Sequence, residues 1–185
     1  MTRLSHFNHA LKDAWFSFMA QLCLLLGKLH SAIDFYRKVV AIRSSYCGET
    51  ARETWAAQTE LARLLCSGTR SEAEESKQIL ASVKQKIADR LGPDAPSFDL
   101  ARVLAVEGYL AHRAGSLAQA EMLCRESHLK FISCAPVSLA HAEALEVLAD
   151  VYAAQGNKAA ELRWRHRAES IRQMYAARKM RRRYV

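Results

Sequence analysis

The chain of 185 residues is long enough to bury one hydrophobic core, since half of its residues are hydrophobic and it holds only three prolines and seven glycines. Its net charge of +8 is uneven: residues 161–185 contribute +7 and residues 1–160 only +1, which argues against a protein that wraps nucleic acid over its whole surface. No apolar run reaches the roughly 18 to 20 residues of a membrane span, and five cysteines without paired spacing favour reduced thiols over a disulfide framework.

The first 33 residues are poor in acidic side chains. They hold Asp13 alone against Arg3, Lys12, Lys28 and three histidines. Such a composition around apolar positions is typical of an uncleaved mitochondrial targeting helix, so we predict a mitochondrial location. Residues from Asp13 onward also fit the first helix of a repeat, and an ordinary N-terminal helix in a cytoplasmic or nuclear protein is the alternative.

Four glycines mark a unit that recurs along the chain. Each closes an apolar, helix-like stretch and is followed four or five residues later by an alanine. The pairs are Gly27 and Ala32, Gly68 and Ala73, Gly115 and Ala120, and Gly156 and Ala160. The glycines lie 41, 47 and 41 residues apart, and apolar residues on both sides recur every three or four positions, which predicts two amphipathic helices meeting at each glycine. The predicted hairpins cover about residues 13–45, 51–91, 97–132 and 138–175.

The second and fourth units differ locally from the first. One residue fewer separates the apolar stretch from Gly68, and the fourth turn is likewise shorter by one residue, so tighter turns are expected at both places. Ser71, followed three residues later by Glu74, has the spacing of a capping box at the start of the second helix of its unit.

The order of residues in each unit is similar to that of the tetratricopeptide repeat. In the first unit an aromatic residue, a small residue, Gly, Ala and a second aromatic residue follow one another as Phe16, Ala20, Gly27, Ala32 and Tyr36. The spacing near 41 exceeds the 34 residues usual for this repeat. The junction "LGPDAP" resembles that of the kinesin-light-chain-like class, which accounts for the extra length after the second helix.

The resemblance implies an all-α fold: a right-handed α-α superhelix of about four helical hairpins with an extended basic C-terminal helix. We accordingly predict a repeat body over residues 1–160 and a basic continuation of the last repeat over residues 161–185. The third unit departs from the family pattern, because Cys124 and Ser127 stand where a larger aromatic residue and an alanine are usual. A looser third hairpin is therefore expected.

The sequence lacks the residue patterns of common catalytic and metal-binding sites, which argues against an enzyme. The sequence contains no His-Glu-x-x-His, no paired Cys-x-x-Cys and no glycine-rich phosphate loop. His6 with His9, and Cys124 with His128, have spacings that place each pair on one helix face, yet two ligands do not make a closed metal site. We predict a protein without catalytic residues, cofactors or metals.

The family resemblance also points to a groove lined by the first helix of each hairpin. The matching positions that we predict to line it are Phe18, Arg63, Arg102, Tyr109, His112 and Glu146. Some members of the family hold acidic chaperone tails with a clamp of Asn, Lys and Arg, but here only Arg63 and Arg102 fit that role. The positions grade from apolar to acidic, which suits an amphipathic or extended peptide. A solvated face, or one filled by the protein's own terminus, is the alternative.

The last predicted helix runs from about Lys158 past Tyr175, with an apolar stripe at Trp164, Ala168, Ile171 and Tyr175. An arginine-rich last helix can serve as the polar cap that an open stack of helices needs. The basic tail that follows holds Arg178, Lys179, Arg181, Arg182 and Arg183. An acidic protein, RNA or anionic lipid would match that charge, and a nuclear import signal is a further interpretation.

These observations predict a non-catalytic scaffold or adaptor, most simply a structural accessory subunit of a larger mitochondrial complex. It would bind protein partners through the groove and the arginine-rich C-terminus. The first alternative is an RNA-associated or ribosomal-particle subunit whose tail lies on phosphates, and the second is a cytosolic peptide-binding adaptor. The repeat fold by itself does not choose among them, since one fold serves many partners.

Overall fold

A computed structural model describes residues 3–93 and 95–181 of the chain, with side chains from His9 onward. Regular structure in this part of the chain is entirely helical, which confirms the predicted all-α class. The eight helices described are α1 (Arg3–Leu25), α2 (Leu29–Cys47), α3 (Arg52–Leu65), α4 (Arg70–Leu91), α5 (Phe98–Arg113), α6 (Leu117–Cys134), α7 (Leu139–Ala154) and α8 (Lys158–Arg181). They follow one another as four hairpins, α1 with α2 through α7 with α8. Among the described residues no helix is long and apolar enough to cross a bilayer.

The chain divides into two compact modules between Lys86 and Ile87. The N-terminal module contains α1, α2, α3 and most of α4, and its core joins side chains from successive helices. The buried members of that core cluster are Cys23, Ala32, Ile33, Leu61, Leu64 and Leu65. Ser76 on α4 donates a hydrogen bond of 2.9 Å from its hydroxyl to the Ala62 carbonyl, so a buried polar contact fixes α4 against α3.

The C-terminal module contains the end of α4 and helices α5 to α8. In its first hairpin α5 and α6 approach closely, because Gly108 faces Cys124: a Cβ at Gly108 would lie 2.5 Å from the Cys124 Sγ. Ser127 is fully buried and donates a 2.7 Å hydrogen bond from its hydroxyl to the Ala101 carbonyl. The expectation of a looser third hairpin is wrong, since the small side chains of α6 allow the two backbones to come together.

Three of the hairpin turns that the structure describes share one geometry. Each has three residues between its helices and a glycine in the left-handed region, with φ of +70° at Gly27, +77° at Gly115 and +75° at Gly156. The residue after each glycine donates its backbone N–H to a carbonyl five positions back. These pairs are Lys28 to Cys23 at 2.8 Å, Ser116 to Ala111 at 2.9 Å and Asn157 to Tyr152 at 2.9 Å. This is the Schellman arrangement, and it explains why glycine recurs there.

The second hairpin turns differently, and two local predictions fail here. Its connection has four residues, 66–69, rather than a shortened turn, and the fourth hairpin keeps the common length of three. The capping box lies two residues before the predicted pair: the Thr69 N–H donates to a Glu72 carboxylate oxygen at 2.7 Å, and the Glu72 N–H donates to the Thr69 hydroxyl at 3.3 Å. The helix begins at Arg70, so Ser71 is already inside it.

Candidate functional site

Helix α8 packs on α7 along the predicted apolar stripe. Ala168 and Ile171 are buried against Ala142 and Leu145 of α7, and Trp164 packs at the edge of the same cluster. These α8 residues recur at spacings of four and three, as one face of a helix requires. Packing of this stripe on α7 therefore determines which residues of α8 lie on its two flanks.

One flank of this stripe is neutralised by acidic residues of α7 and by Glu161 of α8 itself. The Arg165 guanidinium lies 2.9 Å from the Asp150 carboxylate and 3.0 Å from that of Glu161. Arg172 forms an ion pair with Glu146, and that hydrogen bond is the main reason why the pKa of the Arg172 guanidinium is raised. Exposed pairs of this kind contribute only about 0.2–1 kcal/mol each. They nonetheless leave this flank of α8 close to neutral.

The opposite flank keeps its positive charge. Its residues recur at spacings of four, three, four, four and three along α8, and we call them the basic face. The basic face consists of Arg163, Arg167, Ser170, Met174, Arg178 and Arg181. All four arginines are exposed, and none forms an ion pair within residues 3–93 and 95–181. Lys179 is exposed beside them, whereas Arg182 and Arg183 of the predicted tail lie outside the described residues.

A cavity of about 670 Å³ opens beside the basic face, where α8 meets α7 and the connection before it. Its apolar lining includes Ile132, Val137 and Trp164, and its cationic lining includes Arg163 and Arg167. A volume of this size matches the roughly 300–1,000 Å³ of ligand-binding clefts. Such a lining complements a ligand that combines an apolar group with a nearby negative charge.

His141 lines this cavity and contacts a second buried histidine, His128. The His141 Nδ1 lies 2.8 Å from the Pro136 carbonyl oxygen and must donate to it, because a carbonyl only accepts. The neutral His141 ring then accepts at Nε2, which lies 2.8 Å from the His128 Nδ1. The His128 Nδ1–H is therefore the donor, and both rings are neutral in this arrangement.

Burial keeps this histidine pair uncharged. Desolvation, followed by repulsion from His141 and from Arg167, lowers the pKa of His128 to about 4. Desolvation also lowers the pKa of His141, where the hydrogen bond to the Pro136 carbonyl opposes the effect and Arg167 adds to it. A proton added at the His141 Nε2 would face the His128 Nδ1–H at 2.8 Å, and a proton added at the His128 Nε2 would place a charge in a desolvated site. The surroundings of the pair therefore favour the uncharged form of both imidazole rings.

Aromatic contacts complete the site. The Trp164 ring meets His128 edge-on with centroids 5.1 Å apart, and His141 stacks on Phe131 at 5.2 Å. The Arg163 guanidinium lies over the Trp164 ring at 5.2 Å from its centroid, which holds the arginine at the cavity mouth. Within the described residues the buried Trp164 Nε1 has no hydrogen-bond partner.

The six residues that we predict to line a groove lie on four helices. Phe18 is exposed on α1, and Arg63 on α3 lies 2.9 Å from Glu60. Arg102, Tyr109 and His112 are half-buried on α5 at spacings of seven and three, as expected for one helix face, and Arg102 lies over the Phe98 ring at 5.9 Å. Glu146 on α7 is the partner of Arg172. Their role in binding a partner stays a prediction.

The structure brings together residues that sequence reasoning did not combine. The spacing of Cys124 and His128 predicts a weak pair of metal ligands, but the His128 side chain contacts His141, thirteen residues later and on the next helix. Cys124 is instead a core thiol whose pKa burial raises to about 12. In the described part of the chain no three His, Cys, Asp or Glu side chains cluster as metal ligands would. No spacing rule in the sequence signals a pair that depends on how α6 and α7 pack.

Comparison with known proteins supports the fold and leaves the partner open. No protein-family model matches the sequence, and no curated protein matches it. Among solved structures, the crystal structure of BtubC (BKLC) from P. vanneervenii, a kinesin-light-chain-like protein, superposes with a TM-score of 0.62 at 18% sequence identity. The match covers 88% of this chain and 63% of that one, so this chain spans less than two thirds of its length. The chain therefore has a tetratricopeptide-repeat-like helical fold.

Proposed function

We propose that this chain is a non-catalytic helical-repeat adaptor that binds an acidic, partly apolar protein segment along the basic face of α8. The supporting observation is the charge distribution of that helix. Arg165 and Arg172 pair with α7, while the four arginines of the basic face have no acidic partner in residues 3–93 and 95–181. A helical-repeat fold supports the choice of a protein partner, because this fold class commonly binds proteins.

The two parts of the site make different contributions. An exposed arginine and a carboxylate gain only about 0.2–1 kcal/mol, although the guanidinium fork fixes the orientation of the carboxylate. Burying a Leu or Phe side chain in the cavity gains about 1.5–3 kcal/mol. We therefore expect the cavity to supply most of the affinity, while Arg163 and Arg167 select acidic segments and fix their register.

Binding of a labelled peptide tests this proposal. The probe is an amphipathic peptide of about 15 residues with Leu on one face and Glu at i, i+4 spacing on the other. Replacing Arg163 and Arg167 by Glu should weaken binding at least about tenfold, because two attractions become repulsions. The matched control replaces Lys28 and Arg70 by Glu, which gives the same change in net charge at two exposed positions of the N-terminal module. Equal losses in both variants would contradict the proposal.

The same cations support the RNA-associated alternative. A single-stranded RNA probe should then bind with a slope of about −0.7 per phosphate contact in a plot of log affinity against log salt. Deleting residues 176–185 removes Arg178, Lys179 and Arg181 but keeps Ile171 in the core. If RNA binds, depends on the tail and is insensitive to the peptide, the RNA function replaces the adaptor.

We further propose that the adaptor is an accessory subunit of a larger assembly in mitochondria. The composition of residues 1–33 supports the compartment, and the one-sided charge of α8 supports a permanent partner. Cell fractionation with the intact N-terminus tests the location, and native-gel mobility of the endogenous chain tests the assembly. A cytosolic peptide adaptor would instead lose binding when Arg63 and Tyr109 are both replaced by Ala and keep it when the tail is deleted.

A further inference from the structure

Helix α1 carries a continuous apolar stripe that faces solvent. The exposed side chains recur at spacings of four, three, four and three, and the next residue after them extends the patch. Their exposed fractions are 61% for Leu11, 58% for Trp15, 58% for Phe18, 36% for Leu22, 86% for Leu25 and 61% for Leu26. Trp15 and Phe18 also contact each other, with ring centroids 6.5 Å apart. Soluble proteins rarely expose a patch of this kind without a binding role.

The exposed stripe is distinct from the face of α1 that packs against other helices of the N-terminal module. On that other side Ala20 is fully buried, Cys23 belongs to the module core, and Phe16 meets the Phe35 ring of α2 at 6.0 Å. Asp13 accepts hydrogen bonds of 2.9 and 3.1 Å from Arg43 of α2. The orientation of α1 is therefore fixed by packing with α2, and that packing leaves the stripe outward.

The alternation of four and three is the spacing of a coiled-coil seam. Stripes that repeat every 3.5 residues pair with another helix through knobs-into-holes packing. In natural coiled coils the positions beside the seam carry charges that choose the partner. Within α1 those positions are Lys12, Ala14, Met19 and Gln21. With one charge among them, the seam has no electrostatic feature that would select a different chain.

The chemistry of the flanks also separates a protein partner from a lipid surface. A helix that lies in a membrane interface combines its apolar face with a polar face rich in Lys and Arg. The face of α1 opposite the stripe is instead buried or paired with α2, and Lys12 is the one cation beside the stripe. A second apolar helix fits this surface better than anionic lipid.

We infer that α1 is a self-association surface that pairs with α1 of a second copy in an antiparallel arrangement. The six exposed side chains offer on the order of 600 Å² per copy, near the roughly 800 Å² per partner of a standard protein interface. In an antiparallel pair centred near Phe18, the two Lys12 ammonium groups lie about 18 Å apart along the axis, beyond the screening length of about 8 Å at physiological salt. A parallel pair would place them side by side.

Light scattering after size exclusion tests this inference on the full chain. We expect the mass to rise from one to two times 20.8 kDa as the concentration increases from about 1 to about 100 µM. Replacing Trp15 and Leu22 by Glu should weaken association at least about 100-fold, because both lie in the seam. The matched control replaces Met122 and Leu129 by Glu, since both lie on α6 outside the stripe and are 60% and 63% exposed. A monomer at the highest concentration, or equal loss in the control, overturns the inference.

A measurement on the unaltered chain guards against a variant that fails to fold. The chain has three tryptophans, of which Trp55 is 1% exposed and Trp164 is half-buried, so iodide quenching reports chiefly on Trp15. Comparison with Trp15→Phe gives the part of the fluorescence that comes from Trp15. Quenching of that part should increase several-fold on dilution as the two copies separate. Quenching that does not depend on concentration overturns the inference.

Discussion

The facing ring nitrogens of His128 and His141 lie 2.8 Å apart, with the His128 Nδ1–H donating to the His141 Nε2. The far nitrogen of His141 donates to the Pro136 carbonyl, so the connection between α6 and α7 is held by the same ring. A proton on the His141 Nε2 would remove the acceptor of this hydrogen bond, and a charge on either ring would be poorly solvated in this buried site.

This relationship predicts a loss of stability on acidification. The pKa of His128 is about 4 in the folded chain and about 6.5 when unfolded, so the unfolded state binds more protons between those values. The stabilising contribution is therefore complete above about pH 7 and lost as the pH falls towards 4. We expect the free energy of unfolding to fall by about 2 kcal/mol between pH 7 and pH 5, measured by urea denaturation.

Substitution of the histidine supplies the control for that prediction. His128→Gln removes one of the two titrating rings and should reduce the pH dependence over this range, with the remainder due to His141, whose pKa burial also lowers. The comparison variant is His30→Gln, which replaces an exposed histidine of α2. If His128→Gln retains the full slope, the buried pair is not its source.

Gly108 is predicted to be intolerant of a larger side chain. Gly108→Ala would place a Cβ 2.5 Å from the Cys124 Sγ and 3.4 Å from the Cys124 backbone nitrogen. We expect a loss of about 1–3 kcal/mol in the free energy of unfolding from overpacking, which outweighs the helix-propensity gain of up to about 1 kcal/mol. Adding Cys124→Ala removes the colliding sulfur and should restore most of the loss. Strictly additive effects in this double-mutant cycle would show that the two residues do not collide.

The capping box of α4 gives a direct comparison between two neighbouring hydroxyl residues. Thr69→Ala removes the hydroxyl that accepts from the Glu72 N–H and should cost about 1 kcal/mol of stability. Ser71→Ala should change stability by no more than about 0.5 kcal/mol, because Ser71 lies exposed inside the helix. Thermal unfolding of both variants measures the difference. A larger loss of stability for Ser71→Ala than for Thr69→Ala would show that Ser71 caps the helix, as the sequence pattern predicts.

The cysteines are predicted to react in two classes. Cys47 and Cys134 are exposed, whereas Cys23, Cys66 and Cys124 are buried. Because burial also raises the pKa of Cys124 to about 12, little thiolate forms there. Desolvation raises the pKa of Cys47 and of Cys134 as well, so accessibility is what separates the two classes. A thiol-reactive dye at about pH 9 should therefore label two sites quickly and three only on unfolding. Replacing Cys47 and Cys134 by Ser should abolish the fast phase, and a fast phase that persists would mean that a buried site opens.

The helical hairpins and the stripe of α8 are predictable from sequence because they rest on local periodicity. Gly27, Gly115 and Gly156 occur where a left-handed residue ends a helix, and this requirement is visible without any tertiary contact. Ala168 and Ile171 follow the spacing of one helix face and are buried as that spacing predicts.

What the sequence did not predict depends on packing between helices. The small residues Cys124 and Ser127 of α6 predict a looser hairpin, yet the contact between Gly108 of α5 and Cys124 shows that small partners bring helices closer. The His128 and His141 pair spans two helices and uses a carbonyl, Pro136, that no side-chain pattern encodes. Thr69 and Ser71 both satisfy the capping rule, and only the observed helix start distinguishes them.

The shared geometry of three hairpin turns makes them interchangeable parts for protein engineering. The segments around Gly27, Gly115 and Gly156 have one length and one hydrogen-bond pattern, so one can be grafted in place of another without altering chain length or the relation of the helices it joins. The connection at residues 66–69 is longer and starts its helix with a different cap, so it does not belong to this set. Chimeras that exchange these three turns should fold, and the same turns are the best sites for inserting a recognition loop.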